Sequence, residues 1–258
     1  MSNERLRAAI VGAGLSVGSL SEQIEVDPKT VERWITKDRL PYRAHRTATA
    51  TLLRTTEAYL WPDVLDDPRT MSASRAELVM LYPHRGAVQK DLWMQLIEAA
   101  EEHIDVLVFA GLFLPDGHPE LAKVLTSKAE QGTVIRLALG DPDCEAVRLR
   151  GQEEHIGDGM AARVRLSLAY LDEAIRVPGV ELRLHTTTLY NSIYRFDSEM
   201  LVNAHAYGSP AAQSPVLHLR RLAGGWLFDH YQASFERVWE QARPAVALTG
   251  SRSANGAR

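Results

Sequence analysis

Through residues 1–61 the apolar positions recur at helical spacing; beyond them, short apolar runs alternate with amphipathic stretches. ERLRAAIV reads as a helix. LSVGSLSEQIEVDPKTVERWITKDRLP, from Leu15 to Pro41, reads as two short helices about a tight turn. Ser16 is suited to cap the first helix, whose Leu20 and Ile24 share a face, and Glu25-Val26 make the turn. Asp27 suits the cap of the second helix, with Pro28 at its first position. Val31, Trp34 and Ile35 then form an apolar stripe, leaving Lys29, Thr30, Glu32 and Arg33 outward. RAHRTATATLLRTTEAYL adds enough further helix to enclose a small core.

WPDVLDDPRTMSASRAE, with two prolines and an acidic cluster, predicts a linker over residues 62–77. After it, ELVMLY predicts a strand, VQKDLWMQLIEAAEEH an amphipathic helix and IDVLVFAGLFL a buried strand. PELAKVLTSKAEQG is a helix ended by Gly132, and TVIRLALGDPD a second buried strand running into a loop. This order implies βαβ units with parallel strands and right-handed crossovers. Helical stretches between Cys144 and Arg176 precede strands in ELRLH, LHTTTLYNSIYRFD, EMLVNAHAYG and PVLHLRRL. A last helix, HYQASFERVWEQA, turns Phe235, Val238 and Trp239 inward, and residues 244–258 form a small polar tail expected to be disordered. The expected fold is α+β overall: an all-α domain over 1–61 and an α/β mixed-sheet domain over 78–243.

Composition adds limits. The chain has 258 residues, 45% hydrophobic and 24% charged, which suits a soluble globular protein with a substantial core. No apolar run is long enough to span a bilayer, and MSNERLRAAIVGAG lacks the apolar stretch of a signal peptide. The single cysteine, Cys144, excludes an intrachain disulfide and fits a reducing cytoplasm. A cytoplasmic protein with no membrane partner is expected. The net charge of −4 divides into +2 over residues 1–61 and −6 over the rest, so the N-terminal part is the one suited to a polyanion. Gly12-Ala13-Gly14 follows a helical segment and opens no βαβ unit, so it is no dinucleotide fingerprint.

The N-terminal pattern resembles the helix-turn-helix of Xre-type, phage-repressor-like regulators over Leu6 to Leu60. Leu20, Ile24, Val26, Val31 and Trp34 stand where that family packs its core. Ser21 departs from its usual alanine, and Glu25 from the glycine often found in its turn. The resemblance implies double-stranded DNA as partner. Pro28, Lys29, Thr30 and Arg33 would face the major groove, Lys29 and Arg33 donating to guanine edges. Ser16, Ser19, Lys37, Arg43 and Arg46 would contact phosphates.

The second part resembles one half of the phospholipase D fold, in which H-x-K-x-x-x-x-D spans a strand and its turn. Anchored on Asp197, the histidine position holds Tyr190 and the lysine position Ser192; the small polar residues of the next strand fall at Ala204, His205 and Tyr207. Together with GDPDCEAVRLRG and HLRRL, this stretch resembles the degenerate phospholipase-D-like effector domain of actinobacterial Xre-type regulators. The family's chemistry needs a histidine nucleophile and charged lysines. Tyrosine, with a reference pKa of about 10, is a poor substitute at neutral pH, and serine brings no charge. One motif per chain would require a homodimer for a complete site, and both copies would lack the nucleophile. A non-enzymatic chain without cofactor or metal is expected; His185, His205 and His218 lack a tight ligand spacing.

The remaining polar groups suggest a pocket for a small polar or phosphorylated effector. Tyr190, Ser192 and Tyr194 alternate onto one strand face, as do His205 and Tyr207 on the next. Asp141 and Asp143 follow a buried strand, the end at which open α/β sheets hold ligands, with Arg148 and Arg150 close behind. His185 and Asp197 complete the candidate set. The alternative is that these groups satisfy one another in a folding network or a dimer seam. The expected function is a homodimeric transcriptional regulator on a palindromic operator; a phosphodiesterase or nuclease targeted by its N-terminal domain, or a scaffold with neither activity, are the rivals.

Overall fold

The computed structural model describes residues 2–64 and 68–245. It divides into two units, Met1–Ala76 with Leu222–Trp226, and Glu77–Arg221 with Leu227–Arg258.

The first unit begins with α1 (Glu4–Gly12), α2 (Val17–Gln23), α3 (Pro28–Thr36), α4 (Arg43–Leu52) and α5 (Glu57–Leu60). Local chemistry sets the ends of these helices. Ser16 accepts from the Ser19 N–H and Asp27 from the Lys29 N–H, with Pro28 opening α3. Asn3 caps α1 by accepting from the Leu6 N–H, and its amide donates to the Leu60 carbonyl at 2.8 Å, so one side chain ties α1 to α5. Leu6, Ile10, Leu20, Val31, Trp34 and Leu60 fill the core. Ser21 is buried at its alanine-like position and donates within α2 to the Val17 carbonyl, which removes the cost of burying a hydroxyl. Glu25 adopts φ +54°, the left-handed conformation that explains why glycine suits this turn.

The segment expected to be a linker contains a 3₁₀ turn (Pro62–Val64) and α6 (Pro68–Glu77). Proline opens α6 and nothing after it in RTMSASRAE breaks a helix, so the segment before the division at Ala76/Glu77 is helical.

The second unit contains β1 (Leu78–Tyr82), α7 (Lys90–Ala99), β2 (His103–Val108), α8 (Phe113–Gly117), α9 (Leu121–Glu130), β3 (Val134–Gly140), α10 (Glu145–Glu153) and α11 (Gly159–Leu171). It continues with β4 (Val180–His185), β5 (Asn191–Phe196), β6 (Glu199–Ala204), β7 (Val216–Arg220), α12 (Leu227–Gln241) and β8 (Arg243–Pro244). The strands form one sheet in the order β1-β7-β6-β5-β2-β3-β4-β8. Only β2-β3-β4 are parallel neighbours; every other pairing is antiparallel. The expected α+β class with a mixed sheet is what the chain adopts. Two expectations need correction. LHTTTLYNSIYRFD is not one strand: Leu184 and His185 end β4, residues 186–190 are irregular, and β5 begins only at Asn191. The tail does not start at residue 244: Arg243–Pro244 pair with β4 and the Ala245 N–H donates to the Leu182 carbonyl, while 246–258 lie outside the described residues.

Strand alternation sorts the two faces. Ile104, Val106, Leu137 and Phe196 line one small apolar cavity with residues of α7 and α9. On the opposite face Asp105, fully buried, lies in register with Arg136 of β3 and Arg195 of β5. Arg136 grips both Asp105 oxygens at 2.7 and 2.9 Å, and Arg195 adds a bond of 3.0 Å. From α12, Glu236 returns two bonds of 2.8 Å to Arg136, whose guanidinium also lies 4.7 Å from the Phe235 ring centre. Burial raises the Glu236 carboxyl while Arg136 lowers it, and the guanidinium wins, holding it below its ordinary value. The N-terminus of α12 is secured by the buried Glu77, which accepts from the Leu227 and Phe228 N–H groups.

Removing the Asp105 carboxylate takes away the carboxylate partner of Arg195 and leaves Arg136 with Glu236 alone. Asp105→Ala is expected to lower the unfolding free energy by about 3–5 kcal/mol in urea denaturation at neutral pH; a loss within about 1 kcal/mol would show that the cluster holds nothing together.

Candidate functional site

In the first unit, α3 presents Lys29, Glu32 and Arg33 to solvent, with Thr30 half-exposed and Lys37 exposed just past its end. A shallow groove beside it is lined by Arg7, Val17, Lys29, Arg33 and Lys37 among others, and Glu32 is its one acidic residue. Pro28 is exposed at the helix start, and Ser16 and Ser19 lie at the start of α2 with their hydroxyls 2.9 Å apart. Arg43 is half-buried and donates to the Leu222 carbonyl. Arg46 overturns its expectation as a phosphate contact: only 7% exposed, it pairs with Glu57 at 3.1 Å and donates to the Pro41 carbonyl at 2.9 Å. Its charge is consumed in holding α4 to α5.

The second unit holds a cavity of about 340 Å³ at the carboxyl end of β2, a size typical of small-molecule sites. Phe109 to Phe113 form one wall, turning sharply at Gly111. That residue has φ +64°, and a side chain there would meet Val108 at 2.9 Å. Ser192, Tyr194 and His205 form the second wall. Pro210 to Ala212 cover it, Arg85 stands beside Phe113, and Glu154, Met160 and Arg163 come from the α10–α11 corner. The cover is pinned from both sides. Buried Arg150 donates to the Ala206 and Ser209 carbonyls, and the Asn203 amide donates to the Ser214 and Pro215 carbonyls.

The polar wall has a defined protonation. The Leu189 carbonyl only accepts, so His205 Nδ1 carries the hydrogen that reaches it at 3.2 Å. Nε2 is therefore an acceptor, and Ser192 Oγ donates to it at 3.0 Å. Burial first, then the Arg150 and Arg85 charges, push the imidazole down to about 4. A hydroxyl bonded to an imidazole is the geometry of a nucleophile and its base. An imidazole pushed this low is neutral at neutral pH and, with Nδ1–H on the Leu189 carbonyl, offers Nε2 as an acceptor. Tyr194 is fully buried between Trp93, 4.9 Å away, and Phe113. Burial raises its phenol, which stays protonated.

Of the ten candidate ligand residues, Ser192, Tyr194 and His205 line this cavity. Tyr190 and Tyr207 are 80% and 88% exposed outside it. Asp141 pairs with Arg243, Asp143 with Arg165 and Arg148 with Glu145. His185 is buried, donating to the Val108 carbonyl and accepting from the Thr187 N–H. Asp197 sits at the opposite end of β2, in the β5–β6 turn with φ +49°. It accepts from the Glu101, Glu102 and His103 N–H groups at 2.7–2.9 Å. Burial opposes its charge, but these donors and Arg195 hold the carboxyl below its ordinary value. Its work is to fasten a turn. Sequence reasoning missed Arg85, Phe109, Phe113, Met160 and Arg163. The one available signal was Gly111 interrupting the apolar run IDVLVFAGLFL.

No family model matches this chain, and no curated protein does. Among solved structures it is similar to a phospholipase D family member, Nuc from Salmonella typhimurium, at 12% identity and a TM-score of 0.39, over 60% of this chain and 90% of that one. TrmBL2, an archaeal chromatin protein described as showing a novel mode of DNA binding, is similar at 13% identity and a TM-score of 0.39, over 64% of this chain and 52% of that one.

The His205 state has a measurable consequence. Its folded value lies below the reference of 6.5, so its contribution to stability is complete above pH 6.5 and is lost as pH falls toward about 4. NMR titration is expected to show this ring neutral down to about pH 5; a midpoint near 6.5 would place it in open solvent.

Proposed function

We propose that this protein is a DNA-binding transcriptional regulator of the Xre type whose second unit is a non-catalytic, ligand-sensing and dimerising domain. The observation that carries the reading is α3. It begins at a proline behind an aspartate cap, buries Val31, Trp34 and Ile35, and leaves Lys29 and Arg33 outward on a helix of major-groove width, with Lys37 exposed just past its end. Four cations around the neighbouring groove against one carboxylate favour a polyanion.

The absence of turnover is part of the proposal. At the positions that align with the phospholipase D motif, Tyr190 points away from the cavity, Ser192 is uncharged and Asp197 is committed to a turn. The effector would bind the cavity at the end of β2 and act by favouring one arrangement of the dimer. Dimerisation is supported by β1. Leu78, Val79, Met80 and Leu81 are all at least 41% exposed on an outer strand, where charged residues usually guard against pairing. A two-fold dimer matches a palindromic operator. Among the described residues no helix is long and apolar enough to cross a membrane.

Fluorescence anisotropy with DNA from upstream of the protein's own gene, against scrambled DNA, tests the reading. Arg33→Ala is expected to cost about 1–3 kcal/mol on the preferred sequence and little on the scrambled one, whereas Lys37→Ala weakens both alike. Equal affinity for both DNAs at physiological salt overturns it. Replacing Val79 and Leu81 together by lysine is expected to convert a dimer to a monomer in light scattering, with the melting temperature of the second unit little changed.

A further inference from the structure

We infer that the cavity at the end of β2 binds a small organic anion with a planar apolar body, its carboxylate or phosphate held by Arg85. The inference rests on the ligand-sensing reading above and gives the effector a chemistry.

Arg85 is the observation that selects the charge. Its guanidinium lies 4.0 Å from the centre of the Phe113 ring, at the cavity wall. Among the described residues no carboxylate lies within ion-pair distance of it. The other shielded guanidiniums of this unit are committed: Arg136 and Arg195 to Asp105, Arg150 to Glu154, Arg183 to Glu181. A half-buried guanidinium has five donors in a rigid fork, which matches a carboxylate or phosphate in two parallel bonds. Stacking on Phe113 fixes the plane of that fork before any ligand arrives.

The acidic groups nearby do not reverse this preference. Glu154 is neutralised by Arg150 at 2.8 Å and approached by Arg163 at 3.7 Å. Asp116 is exposed to water at the rim. His205 contributes no charge, and its ring is stacked on Phe109 with centres 5.7 Å apart. Phe109, Phe113, Tyr194 and the thioether of Met160 give the cavity an apolar, aromatic-rich lining suited to an aromatic or conjugated body. The Ser192 hydroxyl, which already donates to His205, has lone pairs left to accept from a ligand hydroxyl or N–H.

The test is calorimetric titration of the full chain, free of DNA, with benzoate, phenyl phosphate, benzylamine and inorganic phosphate. One equivalent of benzoate or phenyl phosphate is expected to bind, whichever binds more tightly naming the head group, and benzylamine at least tenfold more weakly. Arg85→Gln should weaken the preferred anion at least tenfold while leaving the melting temperature of the unliganded protein unchanged. Ala211→Trp, which fills the cavity from its cover, should abolish binding. Comparable binding of benzylamine, indifference to Arg85→Gln, or no binding by either aromatic anion overturns the proposal. Inorganic phosphate binding as tightly as phenyl phosphate overturns the apolar body. Because no DNA is present, loss of sequence-specific DNA binding overturns the regulator and leaves this result standing; the reverse holds equally.

Discussion

A carboxylate with no access to water sits near the middle of the sheet, and much of the second unit is arranged around it. Asp105 is tolerable there only because the strands on either side bring guanidiniums to the same face at the same level. That requirement fixes register: sliding β3 or β5 by one residue would turn Arg136 or Arg195 to the other face and cost Asp105 one of its two guanidiniums. It also fixes α12, since Glu236 and Gln232 complete the bonding of Arg136 and Asp105. The cluster thus sets which strands lie together where the cavity opens, and Ser192 faces the end of β2 because Arg195, three residues on, is held beside Asp105.

The two ends of β2 divide the labour. At its start, Asp197 gathers three backbone N–H groups and closes the β5–β6 turn. At its finish, the backbone turns at Gly111 and the walls carry chemistry not yet satisfied from within, Arg85 foremost. An aspartate expected in the ligand pocket instead fastens a turn, and an arginine in no motif lines the open space.

What sequence disclosed and what it concealed follow from the range of the interactions involved. The caps and turn of α2 and α3 were legible because Ser16, Asp27 and Pro28 act within three residues of themselves. Most strands and helices of the second unit were legible from their apolar rhythm. Arg46 was misjudged because its partner Glu57 is on another helix, and nothing local distinguishes a buried arginine from a phosphate-binding one. The cavity was legible in Ser192, Tyr194 and His205, which share or adjoin a strand. Arg85 depended on the strand order, which places β1 and β7 beyond β5 and brings residues 210–212 over the opening. Pairings across about a hundred residues leave no periodic trace.

The unlike edges of the sheet carry a last consequence. At one margin stands β1, five residues long and apolar on both faces; at the other, β8 has two residues, one of them a proline that lacks the donor a ladder needs. Two copies meeting margin to margin through β1 would produce a double-width sheet whose outer borders are both the β8 kind. Such a pair offers no further template for growth. The same strand that is sticky in one copy would be used up in two, so that association stops at a closed, countable particle instead of running on into a fibre.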